Sequence, residues 1–165
     1  MSAALQAAFD PVEELYIEAT DLTQLSRASM ALEMGRKVTR LVVECARCPP
    51  GSVDFPKWPR TTQLKELQIH GFELPALPEN ACENLTQLVY LNLGKCHMEA
   101  LPEKIFDNLT HLQILGLREN RLKDLPDKIF DHLSELRRLY LTGNPLLKEP
   151  SKCKELNEKG AICLI

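Results

Sequence analysis

Residues 115–130 read LGLRENRLKDLPDKIF, and residues 91–106, located 24 positions earlier, read LNLGKCHMEALPEKIF. Leucine, proline and phenylalanine recur at matching positions, and Cys96 stands where the later copy has Asn120. Similarity at a fixed period of about 20–50 residues is typical of a chain made of stacked, equivalent units. This repeat therefore determines the fold.

The first half of each unit follows the pattern L-x-x-L-x-L-x-x-N/C-x-L, where x is any residue. Four copies start 24 residues apart, and two weaker copies precede them at a spacing of 26 residues. The asparagine position is filled, in chain order, by Thr20, Ala46, Phe72, Cys96, Asn120 and Asn144. The pattern predicts six repeats, at residues 12–37, 38–63, 64–87, 88–111, 112–135 and 136–147.

Each unit is predicted to be one short strand followed by a returning segment. The stretch L-x-x-L-x-L is too short for a helix and alternates around a pair of leucines, which is typical of a strand. The proline of each Leu-Pro pair lacks a backbone donor, so the returning half is not expected to be a strand or a helix interior. Stacked units bury their leucines, at about 1.5–3 kcal/mol for each leucine. The expected fold is an α/β solenoid, a right-handed superhelix with a concave parallel β-sheet and an irregular or short-helical convex side.

The asparagine position is expected to face the interior, where an amide can hydrogen-bond the turn backbones of adjacent coils. A buried backbone group without a partner costs about 1–3 kcal/mol. Cys96 takes this position between Leu93 and Met98, so we predict that it is buried, reduced and unpaired. Asparagine fills the position only toward the end of the chain, so the N-terminal coils are predicted to be less regular.

The two ends depart from the repeat, and residues 1–165 are predicted to form a single domain. Residues 1–11 read either as a helical N-terminal cap or as part of a further repeat, which would make the chain a segment of a longer array. Residues 26–37 read as a helix that ends at Gly35. Residues 148–165 leave the pattern and are predicted to close the last coil.

The amino-acid composition and net charge of the chain indicate what kind of core it can form and which binding partners are not expected. Hydrophobic residues make up 44% of the chain but aromatic residues only 5%, so the core must be mainly aliphatic. The net charge of −3 argues against a nucleic-acid partner, which usually requires a basic face. No apolar run approaches the length of about 18 residues that a membrane-spanning helix needs, so no membrane insertion by this segment is expected.

The 24-residue unit containing LPEKIFDNLTHLQILGLREN, residues 101–120, resembles the typical extracellular leucine-rich repeat. This form occurs in Toll-type receptor ectodomains and in lamprey variable lymphocyte receptors. The resemblance is close over residues 64–147 and looser over residues 12–63. It implies a non-enzymatic recognition module, an extracellular or cell-surface receptor ectodomain whose concave sheet binds a protein or a microbial ligand.

An alternative is a cytosolic leucine-rich-repeat scaffold or regulatory domain. Cytosolic families use a similar Leu-Pro repeat that is usually shorter by one residue and lacks the phenylalanine. Phe106, Phe130 and the 24-residue period therefore favour the extracellular form. The C-terminal GNPLLKEPSKCKELNEKGAICLI lacks the tryptophan of the extracellular family's terminal cap, which favours a fragment or a short form of such an ectodomain.

Residues between the strand leucines should point out from the concave sheet. The face is acidic at its start and basic at its end, and its tyrosines and arginines are residue types that dominate interface energies. The other reading is an ordinary solvated sheet face. The predicted ligand-binding residues are Glu14, Tyr16, Arg40, Glu66, Gln68, His70, Tyr90, Asn92, Lys95, Ile114, Arg118, Arg137, Arg138 and Tyr140.

Two pairs of cysteines are candidates for a disulfide or for a metal site. Cys153 and Cys163 lie outside the regular repeat, where the terminal coil needs closing, so they are candidates for a disulfide; the alternative is two reduced thiols. Cys45 and Cys48 form a CARC string, but no second cysteine pair or histidine pair is spaced to complete a zinc site. Cys48 is predicted to fill a core position, with Cys45 just after the strand.

Asn84-Leu85-Thr86 and Asn108-Leu109-Thr110 are candidate N-glycosylation sequons at the same position of consecutive repeats. A glycan on this returning side would leave the concave face free. The other reading is that Asn-Leu-Thr is only the consensus of this repeat.

No catalytic, cofactor-binding or metal-binding residue is predicted. The four histidines form no metal-ligand spacing, and neither a nucleophile elbow nor a phosphate-binding glycine loop occurs.

Overall fold

The computed structural model describes residues 14–19, 27–30, 38–45, 55, 57–60, 63–74 and 76–165. In these ranges seven parallel strands form one sheet in chain order, and the helix α1 (Ser151–Glu158) precedes the last strand. The strands are β1 (Glu14–Ala19), β2 (Arg40–Cys45), β3 (Glu66–His70), β4 (Tyr90–Asn92), β5 (Ile114–Gly116), β6 (Arg138–Tyr140) and β7 (Ile162–Leu164).

The register of the sheet follows the sequence period. Leu91 of β4 pairs with Leu115 of β5, which pairs with Leu139 of β6, and all three side chains are fully buried. Because parallel strands joined in chain order need a crossover behind the sheet, each returning segment lies on the core side. The predicted solenoid with its parallel sheet is confirmed.

The returning segments repeat one another in their turns and in their packing. Ile105 donates its backbone N–H to Pro102, and Ile129 donates in the same way to Pro126, at 3.2 and 3.1 Å. Between these turns the rings of two buried phenylalanines stack with 6.2 Å between centroids and 9° between planes. These rings belong to Phe106 and Phe130. The returning side is therefore irregular, as predicted, and its turns repeat in the two coils that contain Phe106 and Phe130.

Asn120 forms the predicted bridge between coils. Its Oδ1 accepts hydrogen bonds from the backbone N–H groups of Cys96 and Met98, at 3.0 and 3.1 Å. Its Nδ2 donates to the carbonyl oxygens of Leu93 and Leu117, at 2.9 and 3.0 Å. One amide thus satisfies four backbone groups that have no partner within the short strands, and it ties two coils together.

Cys96 is buried and free, as predicted. Its thiol lies 3.3 Å from the carbonyl oxygen of Ile69 and 3.4 Å from that of Gly94, so it acts as a weak donor to the preceding coil. Burial raises the pKa of this thiol to about 12, and the thiol stays protonated and unreactive at neutral pH. The side chain is a small substitute for asparagine and not a reactive group.

The closing segment contains more structure than the sequence analysis predicted. After α1 the chain enters β7, which pairs with β6, so the sheet gains a strand beyond the six of the repeats. Cys153 of α1 and Cys163 of β7 form the candidate disulfide. Asn157 accepts a hydrogen bond from the N–H of Cys163 at 3.3 Å, which occupies a donor on the free edge of the sheet.

Replacing Cys163 with serine should lower the free energy of unfolding by about 2–3 kcal/mol, because the variant loses the constraint that the disulfide places on the unfolded chain. Urea unfolding of the oxidised protein measures this loss. The control is the same comparison under full reduction, which also breaks the disulfide of Cys45; there the variant and the wild type should be equally stable. Equal stability of Cys163→Ser and the oxidised wild type would contradict the structural role of the disulfide.

Several predictions lie wholly or largely outside the described residues. Of the helix predicted at residues 26–37 only residues 27–30 are described, and they are helical. The alternatives for residues 1–11 and the interior positions of Thr20, Ala46 and Cys48 fall outside the described ranges. These stay predictions, as does the lower regularity of the N-terminal coils.

Candidate functional site: the concave face

The strand residues that alternate with the buried leucines form two rows across the sheet on the face opposite the core. We call this surface the concave face. The register of the strands fixes both rows. The first row is Glu14, Arg40, Glu66, Tyr90, Ile114, Arg138 and Ile162, and the second row is Tyr16, Val42, Gln68, Asn92, Gly116, Tyr140 and Leu164.

The structure thus brings the predicted strand residues together on one surface. Lys95 and Arg118 follow β4 and β5 in the exposed turns, and Arg137 is exposed just before β6. Lys95 and Arg118 lie at the edge of the sheet where the parallel strands end, whereas Arg137 lies at the opposite edge, where β6 begins. The predicted residues within the strands form continuous rows from β1 to β6.

The N-terminal half of the concave face neutralises much of its own charge. The Arg40 guanidinium lies 3.1 Å from carboxylate oxygens of both Glu14 and Glu66. The Tyr16 hydroxyl donates to Glu44 at 3.0 Å, and this hydrogen bond raises the pKa of Tyr16. The residues here are held by neighbours on the adjacent strand.

His70 is half buried on the same half of the face. Its Nε2 lies 3.3 Å from Oε1 of Gln68. Burial lowers the pKa of His70, and this effect outweighs the nearby Glu44 carboxylate, which raises it. The imidazole is therefore neutral at pH 7 and adds no positive charge to the face.

The centre of the face is organised by Asn92. Its Oδ1 accepts a hydrogen bond from the N–H of Gly94 at 3.0 Å, and its Nδ2 lies 3.2 Å from the hydroxyl of Tyr90. A Cβ atom at Gly116 would lie only 2.8 Å from that Oδ1. Glycine at the neighbouring position therefore leaves the room that Asn92 needs.

The C-terminal half carries positive charge that forms no ion pair with the described residues. The Arg118 guanidinium lies over the ring of Tyr140, 4.1 Å from its centroid. Lys95 is paired with Glu119 at 3.6 Å, but no ion pair within the described ranges involves Arg118, Arg137 or Arg138. This half can offer these cations to a partner.

Sequence analysis missed two residues of the concave face. Ile162 pairs with Arg138 and Leu164 pairs with Tyr140, so β7 extends both rows by one strand. The side chains are exposed, at 42% and 44% for Ile162 and Leu164. The available signal was the run of five apolar residues that follows Gly160, but it does not lie at the 24-residue period.

Three histidines join adjacent coils and do not converge on one site. His97 pairs with Glu73 at 3.5 Å, and His111 pairs with Glu135 at 3.0 Å. The third pair joins His132 to Asp107 at 3.2 Å. Each histidine contacts a carboxylate one repeat away, so these side chains link neighbouring coils and are not arranged as a catalytic group.

Of the CARC string only Cys45 lies within the described residues. Cys45 is the last residue of β2, not a residue beyond it, and it is buried and disulfide-bonded. A disulfide sulfur is not a thiolate, so Cys45 does not serve as a zinc ligand. Among the residues described, no group of three potential metal ligands comes together.

Both sequons lie in returning segments, away from the concave face, but they differ in access. The Nδ2 atom of Asn84 donates to the backbone oxygen of Trp58 at 2.7 Å, and this side chain is half buried. Asn108 is exposed, and its Nδ2 makes a longer bond of 3.2 Å to Glu83. Because Nδ2 is the atom to which a glycan is attached, Asn108 is the more accessible acceptor.

Expression through a eukaryotic secretory pathway should therefore modify Asn108 more completely than Asn84. Intact mass spectrometry before and after glycosidase treatment measures the occupancy, with Asn84→Gln and Asn108→Gln as matched variants. The Asn108→Gln protein should lose most of the glycan mass. Greater occupancy at Asn84 would show that accessibility in the folded state does not decide which sequon is used.

No helix among the described residues is both long and apolar enough to cross a membrane.

Comparisons with known proteins agree with this geometry. A family model described as leucine rich repeat matches residues 93–146. The structure is similar to that of the Toll–Spatzle complex of Drosophila, with a TM-score of 0.57 and 20% identity over 78% of this chain. A glycosylated form of the same complex gives a TM-score of 0.56 and 20% identity over 80% of this chain. A search of curated protein sequences found no match.

A leucine-rich-repeat protein of Leptospira interrogans is also similar, with a TM-score of 0.56 and 26% identity over 76% of this chain. The chain spans only 16%, 31% and 17% of the Toll, Leptospira and glycosylated Toll chains respectively. Likeness at these identities establishes the fold, and the matched repeats coincide with the ladder of leucines and asparagines described above. The chain is therefore a leucine-rich-repeat solenoid, and its residues 93–146 match the family model itself.

Proposed function

We propose that this chain is a non-enzymatic recognition module that binds a protein partner on its concave face. The observation that carries the proposal is the open sheet surface, where Arg138 and Tyr140 of β6 lie near the exposed Arg118 that follows β5. Solenoids of this kind present extended concave surfaces to their partners. Arg118, Arg138 and Tyr140 belong to residue types that contribute most to binding energy at interfaces.

The chain is further proposed to be a fragment or a short form of a Toll-like receptor ectodomain. The similarity to a Toll chain bound to Spatzle supports this, since that neighbour is seen with a protein partner. The 24-residue period and the phenylalanine stack of Phe106 and Phe130 support the extracellular type of repeat. Its ligand would be a protein or a microbial molecule.

An extracellular or cell-surface location accompanies this proposal. The Cys153–Cys163 disulfide and the disulfide-bonded Cys45 support it, because disulfides persist in oxidising compartments and are rare in the cytosol. The exposed Asn108 sequon points the same way. The cytosolic scaffold has no comparable support, since reduced thiols would be expected throughout.

Charge reversal tests the binding surface. A partner is first isolated with the wild-type chain, and its affinity is then measured for an Arg137→Glu/Arg138→Glu variant. The matched control is Lys104→Glu/Lys128→Glu, which makes the same charge change on exposed residues of the returning segments. We expect the first variant to weaken binding by at least about tenfold and the control to bind as the wild type does.

The opposite pattern would place the binding surface on the returning side and contradict the proposal. Circular dichroism and urea unfolding of both variants establish that the loss of binding is not a loss of folding. Since neither arginine makes an ion pair within the described ranges, both variants should keep the stability of the wild type.

A further inference from the structure

We propose that the C-terminal part of the concave face takes an acidic polypeptide segment that carries an apolar side chain. This inference rests on the proposed function and names the chemistry of the partner. The surface that we assign to it, called the C-terminal patch, consists of Arg118, Arg138, Tyr140, Ile162 and Leu164. It extends over the last three strands of the sheet and includes the strand that lies outside the repeats.

The two arginines of the C-terminal patch differ from Arg40 in their ion pairing. On the N-terminal half, Arg40 is held between Glu14 and Glu66, so a ligand would have to compete with two carboxylates. In the C-terminal patch, the described ion pairs leave out both Arg118 and Arg138. A guanidinium presents a planar fork of donors that fits a carboxylate with two parallel hydrogen bonds. A carboxylate-bearing ligand is thus the natural complement.

Exposed apolar side chains of β7 lie beside the arginines of the C-terminal patch. Ile162 and Leu164 are 42% and 44% exposed, whereas the side chain between them joins the disulfide on the core side. Strands in a sheet are about 4.8 Å apart, so these side chains lie next to Arg138 and Tyr140. An apolar side chain of a ligand can be buried here while its carboxylates meet the arginines.

The Arg118 side chain is held in place before any ligand binds. The Arg118 guanidinium lies 4.1 Å from the ring centroid of Tyr140, which restrains a long side chain at the edge of the patch. A cation that is already held in place loses less conformational freedom when a ligand binds. Tyr140 thus serves both as a contact surface and as a support for Arg118.

The acidic half of the concave face fixes the orientation. Glu18 and Glu44 are exposed and occupy paired positions on the first two strands. A segment rich in carboxylates is repelled there and attracted at the opposite end, since like charges brought together at an interface are strongly unfavourable. The acidic segment therefore lies over β5 to β7 and not over β1 and β2.

The test uses short fluorescent peptides and the whole chain. One peptide alternates glutamate and leucine; the matched peptides replace every glutamate with lysine or every leucine with serine. Fluorescence anisotropy should show binding of the glutamate–leucine peptide, with the two matched peptides at least about tenfold weaker. The binding should also weaken as salt is raised, because exposed charges are screened.

Single variants locate the binding. Arg138→Glu and Leu164→Ser should each weaken binding of the glutamate–leucine peptide by at least about fivefold. Lys128→Glu and Leu147→Ser are the matched controls, since they make the same changes at exposed positions off the sheet, and they should bind as the wild type does.

Equal binding of the lysine–leucine peptide, or unchanged affinity in both patch variants, would overturn the assignment. If the lysine–leucine peptide bound and lost affinity on Glu14→Gln, the concave face would still be a binding surface but with the opposite ligand chemistry. If no peptide bound, the acidic ligand class would be rejected. The proposed function would still be tested separately, by the affinity of the Arg137→Glu/Arg138→Glu variant for the isolated partner.

Discussion

Replacing Asn120 with alanine should lower the free energy of unfolding by about 3–4 kcal/mol. The substitution removes the amide that serves the N–H groups of Cys96 and Met98 and the carbonyls of Leu93 and Leu117. The Leu117 carbonyl keeps a second donor, Nδ2 of Asn144 at 2.8 Å, so three buried groups lose their partner. Each of them costs about 1–3 kcal/mol, partly offset where a water molecule can enter. Chemical denaturation followed by circular dichroism measures the loss.

The matched control is Asn144→Ala, at the same position of the next repeat. Asn144 is only half buried and makes fewer bonds, accepting from Leu122 and donating to Leu117 and Leu141. Solvent can replace these bonds more easily, so its loss should be about 1–2 kcal/mol. Equal losses for the two variants, or less than about 1 kcal/mol for Asn120→Ala, would show that the ladder does not hold the coils together.

Gly71→Ala is expected to have a comparably large effect. Gly71 follows β3 with φ of 75°, and a Cβ atom there would overlap the backbone carbonyl oxygen of Cys45 on the neighbouring coil. An alanine in the left-handed backbone conformation costs about 1–2 kcal/mol. Displacing the carbonyl oxygen of Cys45 in β2 adds about 1–3 kcal/mol. We expect a total loss of about 3–4 kcal/mol in the free energy of unfolding.

Gly160→Ala separates the two contributions. Gly160 has nearly the same φ, 72°, but apart from its chain neighbours no heavy atom of the described residues lies within 4 Å of the position that a Cβ would take. Only the backbone cost of about 1–2 kcal/mol should therefore appear. If both variants lost the same stability in urea unfolding, close contact between β2 and the turn after β3 would not be needed for the fold.

The features that could be predicted from sequence are those imposed once per repeat. Every coil must bury the same leucine positions against its neighbours, so Leu91, Leu115 and Leu139 identify the strands and their register. The position of Asn120 recurs for the same reason, since each turn leaves backbone groups that need a partner. Cys96 could be predicted as a buried structural side chain because the repeat fixes its environment.

The features that could not be predicted depend on interactions that do not recur. Residues 151–158 and 162–164 form α1 and β7, yet they have no counterpart in the repeat, so Ile162 and Leu164 did not join the predicted concave face. The disulfide bond of Cys45 likewise has no signal in the period. The paired state of Arg40 required the register between β1, β2 and β3, which brings both glutamates to the same guanidinium.

Photocrosslinking from defined positions of the chain tests whether the partner binds on the concave face. Benzoylphenylalanine replaces Tyr140 on the concave face in one variant. In the control variant it replaces Lys128 on the returning side. Both chains are irradiated with the isolated partner, and the covalent products are compared by gel and mass spectrometry. The concave-face account predicts a crosslinked complex from position 140 and none from position 128; a complex from position 128 with none from position 140 would contradict it.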